Sequence, residues 1–117
     1  MLPAAHRLTS GQDFGLVVRR GRRAGRSRLV VHVLLPSATD EQPTLAPSKV
    51  GFVVSKAVGN SVVRHRVSRR LRHVLRDRIL RLPEGTSLVV RALAPAATAS
   101  SADLAQDFDA ALRKVLR

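Results

Sequence analysis

Apolar positions along the chain keep two rhythms, and the switches between them mark out six elements. Phe14, Val17 and Val18 recur at steps of three and four, which sets them on one side of a short helix from about Gln12 to Arg20. Ser10 with Asp13 three places on resembles a capping box, Gly15 weakens the helix locally, and Gly21 offers a left-handed stop. Residues 19–26, rich in arginine and glycine, read as a basic loop. Leu29 to Leu35 is a β-branched run that stops at Pro36, and Val50 to Val54 is a second strand whose connection suits a hairpin with the first. Between them, about 36–48, three prolines stand among Ser, Thr, Asp and Glu, which predicts a mobile connection. Leu88 to Leu93 forms a third strand, ending before Pro95.

The helical rhythm is longest in the middle of the chain. Val63, Val67, Leu71, Val74, Leu75, Ile79 and Leu82 form one stripe on a helix from about Ser61 to Leu82, with Asn60 as N-cap, Gly59 easing the entry and Pro83 beyond the end. A last helix starts near Ser101 and carries Leu104, Phe108, Ala111, Leu112 and Val115 at the same spacing. Its acids Asp103, Asp107 and Asp109 precede Arg113, Lys114 and Arg117, an order that suits the helix dipole. The order helix, two strands, helix, strand, helix predicts an α+β fold, a small mostly antiparallel sheet packed with three helices in a two-layer sandwich. At 117 residues, residues 1–117 make a single domain.

Charge changes this picture from a generic domain to a cationic one. Lysine and arginine total 21 against 8 acids, a net charge of +13, and the only lysines are Lys49, Lys56 and Lys114. So strong a self-repulsion points to a polyanion, whose phosphates would relieve it and release counterions. The charge is concentrated between Arg64 and Arg81, where eight arginines stand with the single acid Asp77. A solvated helix mixes its signs so that residues three or four apart support each other, and this one cannot. His65, Arg66, Arg69, Arg72, His73 and Arg76 spread over the arc opposite the apolar stripe. An interfacial membrane helix would need its apolar face, yet the strands and the other helices claim that face, so no membrane is expected.

There is no cysteine, hence no disulfide framework and no thiolate site. The amino terminus lacks an apolar core of signal-peptide length and no run approaches ~18 apolar residues, which reads as a cytoplasmic chain. The histidines, His6, His32, His65 and His73, have no carboxylate beside them in sequence, and no metal spacing occurs, so neither catalytic nor metal-ligating residues are expected.

At Ser55-Lys56-Ala57-Val58-Gly59-Asn60-Ser61-Val62-Val63-Arg64-His65-Arg66 the sequence resembles the signature of the bacterial ribonuclease P protein family, Ser-Lys-Lys-x-Gly-Asn-Ala-Val-x-Arg-Asn-Arg, which runs on into an arginine-rich helix. Leu2-Pro3, His6-Arg7-Leu8, Asp13-Phe14 and Gly21 fit the family's amino-terminal pattern, so the resemblance spans essentially the whole chain. It departs at Ala57, where a second lysine is common, and at His65, where the family has asparagine. It departs also at Val18, where a second aromatic often stands, and at His32, often tyrosine. Valine has no π-face.

The resemblance implies an endoribonuclease subunit that aids removal of the 5′ leader from precursor tRNA, with hydrolysis carried by a catalytic RNA subunit and by Mg²⁺ held mainly by RNA. It implies RNA contacts at Lys56, Asn60, Arg64, His65, Arg66, Arg69, Arg70, Arg72 and Arg76, and a leader cleft at Phe14, Val18, Val30 and His32. Partners would be the catalytic RNA and precursor tRNA, with no obligate protein partner. It also implies a left-handed β-α-β crossover, as in the second domain of ribosomal protein S5. Phe14 beside His32 would make a sparse stacking platform, while Phe52 and Phe108 sit on apolar patterns and belong to the core. By the residues alone, Phe14 fits cleft and core equally. A ribosomal or nucleoid-type binding protein without a processing role would show much the same basic helix.

Overall fold

The computed structural model describes residues 7–8, 11–35 and 48–116. Its elements are α1 (Gly11–Arg20), β1 (Arg22–Gly25), β2 (Leu29–Leu34), β3 (Lys49–Val53), α2 (Ser61–Arg78), β4 (Ser87–Ala92) and α3 (Ser101–Val115), with 3₁₀ turns at Ile79–Arg81 and Ala94–Thr98. The Ser10 cap lies outside the described residues, and so does the predicted connection except Ser48.

The sheet runs β1-β2-β4-β3, antiparallel at its first two pairings and parallel between β3 and β4. The hairpin expected between β2 and β3 does not form, because β4 lies between them. Leu88, Val89 and Val90 are all buried, so β4 is apolar on both faces and has to be covered on both, which an edge position cannot provide. Its parallel neighbour β3 then needs a crossover, and α2 supplies it. The stretch read as a basic loop contains β1, since Ala24 turns into the core while Arg22 and Arg23 stay exposed on an edge strand. Arginine stems tolerate that position because their heads remain in water.

On one face of the sheet, Leu29, Val31, Val33, Leu88 and Val90 pack against Val67, Leu71 and Leu75 of α2 and Leu104, Phe108 and Ala111 of α3. The opposite face is only partly covered: α1 lays Val17 over a smaller cluster with Leu8 and Val89. Gly21, after α1, is not left-handed, as the glycines with positive φ among the described residues are Gly59 and Gly85. A Cβ at Gly21 would instead press into the carbonyl oxygens of Val17 and Val33. The glycine is needed because the end of α1 comes down onto β2. Helix α3 starts as the pattern predicts, and Ser100 and Asp103 close a reciprocal capping box with both bonds at 3.1 Å.

Candidate nucleic-acid interface

The entry to α2 fixes where its cations point. Val58 is buried and donates its N–H to the Ser55 carbonyl, and the Asn60 side chain accepts from Val63 N at 3.0 Å. Asn60 is therefore engaged as the helix cap, while Lys56, just before it, is exposed.

The arginines of α2 fall into two sets, and Arg66 belongs to both. Arg66 donates to the Ala97 carbonyl at 3.0 Å, Arg70 to the Ala99 carbonyl at 2.6 Å, and Arg78 grips both oxygens of Asp109 at 2.7 and 3.1 Å. These three join α2 to the segment that leads into α3 and to α3 itself. Asp109 is the first cause holding the Arg78 guanidinium above its ordinary pKa. Facing away, His65, Arg66, Arg69, Arg72 and His73 line a concavity of about 730 Å³ with Val62. Arg64 lines an adjoining hollow with Ser61, His65 and Ser68. Arg76 stands further along, exposed and 4.0 Å from the exposed Asp77, a pair of little consequence in water. The Nε atoms of Arg64 and Arg66 are buried and meet no acceptor. Of the predicted contacts, the structure gathers Arg64, His65, Arg66, Arg69 and Arg72, and sends the Arg70 head elsewhere.

The second region is the uncovered part of the sheet's outer face. Strand register sets Val30 opposite Arg91 and His32 between Arg23 and Val89. Val18, Val30 and His32 accordingly line one groove of about 270 Å³, with Arg23, Val53 and Arg91. The groove has an apolar floor and a cationic rim. His32 is buried with its Nδ1 unpartnered, and burial first, then the guanidinium groups of Arg23 and Arg91, holds its imidazole below the ordinary pKa. Phe14 lies elsewhere: its ring occupies the space that a Cβ on Gly51 would take, and it lines a neighbouring hollow with Arg7, His65 and Arg72. It packs on the cluster of Leu8, Val17 and Val89 as well as facing that hollow, so it serves core and surface at once. Phe14 and His32 thus stand over different strands and do not form one platform.

Sequence reading missed Arg23 and Arg91 on the groove rim. The signal was available only through register, since both share a pleat face with Val30 and His32 once the pairing is known. Among the described residues no three histidine or carboxylate groups come together as a metal would require, and no helix is long and apolar enough to cross a membrane.

A mixed sheet with a cation-lined helix on one side and a cation-rimmed apolar groove on the other defines a basic α+β protein suited to a polyanionic chain. The family model for Ribonuclease P matches residues 2–116, and the chain belongs to that family. The ribonuclease P protein component of Streptomyces avermitilis is 56% identical over 119 residues, covering 99% of this chain and 96% of its own. That of a Nocardioides species is 54% identical over 115 residues, covering 98% and 95%. The fold matches the structure of the Staphylococcus aureus RNase P protein with a TM-score of 0.77, covering 96% of this chain and 98% of the other at 21% identity.

Proposed function

We propose that this chain is the RNA-binding subunit of ribonuclease P, docking on a catalytic RNA through the outward face of α2 and holding the 5′ leader of precursor tRNA on the outer face of the sheet. One observation carries the reading: α2 presents Arg64, Arg66, Arg69 and Arg72 around two adjoining hollows, and no carboxylate lines either of them. A phosphate backbone would supply the missing anions. The groove of Val18, Val30 and His32 suits a single strand, with an apolar floor for bases and Arg23 and Arg91 for phosphates.

Hydrolysis belongs to the RNA in this reading. Mg²⁺ would be held by RNA phosphates, and the described carboxylates and histidines of this chain do not fit a metal shell, so no metal step is assigned to them. As a subunit acting on precursor tRNA it would work in the cytoplasm with its substrate. The test is reconstitution. Purified protein alone should leave precursor tRNA intact, and adding the catalytic RNA with Mg²⁺ should release the leader at the mature 5′ end. Clean cleavage by RNA-free protein would overturn the division of labour.

A further inference from the structure

A second group of arginines stands apart from α2. Arg19 and Arg20 end α1, Arg23 lies on β1, and Arg26 follows at the turn into β2; all four are exposed. The ion pairs among the described residues are Arg28–Asp107, Arg76–Asp77 and Arg78–Asp109, so none of the four takes part in one. Their neighbours behave otherwise. Arg22 reaches the Val115 carbonyl at 3.3 Å, and Arg28 turns to Asp107. Alternation along the strand thus sends Arg22 toward α3 and Arg23 toward the groove.

This group is separate from the α2 face. The hollow shared by Arg72 and His65 lies at β3, one edge of the sheet, and β1 is the other edge. Three strand spacings of ~4.8 Å put the two edges roughly 14 Å apart. The close approach at Gly21 fixes the end of α1 against β2, so Arg19 and Arg20 are held beside β1. Charge on an edge strand also discourages pairing with another sheet, but that role has no use for arginines on α1.

Arg23 belongs to both places: it rims the groove of Val30 and His32 and sits on the edge strand. We infer that the groove continues across β1, and that Arg19, Arg20 and Arg26 bind the phosphates of single-stranded RNA leaving the groove there. The occupant is the leader beyond the nucleotides that the groove itself holds. Single-stranded RNA fits better than duplex, because a strand entering from the apolar floor arrives with its bases unpaired. The inference rests on the groove being the leader site.

The experiment uses reconstituted holoenzyme and three substrates: mature tRNA, precursor tRNA with a leader just long enough to fill the groove, and precursor with a leader several nucleotides longer. The triple variant Arg19→Ala, Arg20→Ala, Arg26→Ala should bind the first two like the parent and lose the added affinity for the third. For that substrate the slope of log K against log salt should flatten by roughly 0.7 per lost contact, about two units in all. The matching triple lysine variant should restore the slope, which a packing role would not allow. A uniform loss across all three substrates would place the arginines on tRNA or the catalytic RNA and overturn the proposal, as would a parent that gains nothing from the longer leader. Val30→Glu, which sets an anion on the groove floor, separates the two readings. If it leaves short-leader binding unchanged, the groove reading fails and takes the proposal with it. If it weakens that binding while the arginine variant matches the parent throughout, only the extension over β1 fails.

Discussion

Helices α2 and α3 pack side by side on the same sheet face, and both are amphipathic, yet they treat charge in opposite ways. Each acid of α3 has a task inside the molecule: Asp103 closes the cap, Asp107 accepts from the Arg28 backbone N–H at 3.3 Å, and Asp109 holds Arg78. Helix α2 has one acid, Asp77, and that acid is exposed. Arg70 and Arg78 turn to the segment before α3 and to α3 itself, Arg66 bonds that segment while also lining the outward concavity, and the rest face out. The contrast teaches that α3 is built to hold the domain together. The outward arc of α2 is held in place by that scaffold and contributes repulsion until an anion arrives.

The largest effect expected from breaking this contrast lies in α3. Phe108 of α3 is fully buried in the core shared by the sheet, α2 and α3, so Phe108→Ala should lower unfolding free energy by about 3–5 kcal/mol, read by chemical denaturation. Where the variant remains folded, its salt dependence of RNA binding should match the parent. A reduced slope in folded protein would mean that the packing of α3 also sets how α2 presents its arginines.

On α2 the signs reverse. Replacing Arg69, Arg72 and Arg76 with alanine should leave the thermal midpoint unchanged or slightly higher, since like charges are removed and the partners lost are only the Arg72 bond to its own helix and the exposed Arg76–Asp77 pair, which contributes little in water. Affinity for the catalytic RNA should fall, with log K against log salt flattening by roughly 0.9 per lost phosphate contact on duplex. Unchanged affinity together with a lower midpoint would make α2 a structural helix like α3.

The smallest effect concerns the histidines, because His32 is buried in the groove while His65 and His73 are exposed on α2. The folded state disfavours protonated His32, through burial and then through Arg23 and Arg91. With a folded pKa below the ordinary ~6.5, its contribution to stability is complete above that pH and is lost as pH falls through the folded value. His32→Leu should therefore flatten the acid side of the stability curve as the pH falls below the ordinary value of about 6.5. Identical curves for parent and His32→Leu would remove the buried imidazole as a source of acid sensitivity.

Much of this molecule was legible along the chain. The stripe on α2, its Asn60 cap, the start of α3 near Ser101 and the β4 run all follow from local spacing, because hydrophobic period and capping chemistry act within a few residues. The excess of arginine on α2 was equally local. So was the signature from Ser55 to Arg66, which the family match bears out.

What the tertiary structure decided was everything that depends on which distant strand lies alongside. Local composition made residues 19–26 a loop; backbone pairing with Val30 to Val33 and the burial of Ala24 made four of them a strand. Proximity in sequence favoured pairing β2 with β3, but burying both faces of β4 required it to stand between them. The same placement set Arg23 and Arg91 around His32, put Phe14 on Gly51 rather than beside that histidine, and chose which arginines of α2 turn inward. Sequence determines each element because its forces are short-ranged, and only the packed sheet determines the groove, because a groove is made of residues brought together from different strands.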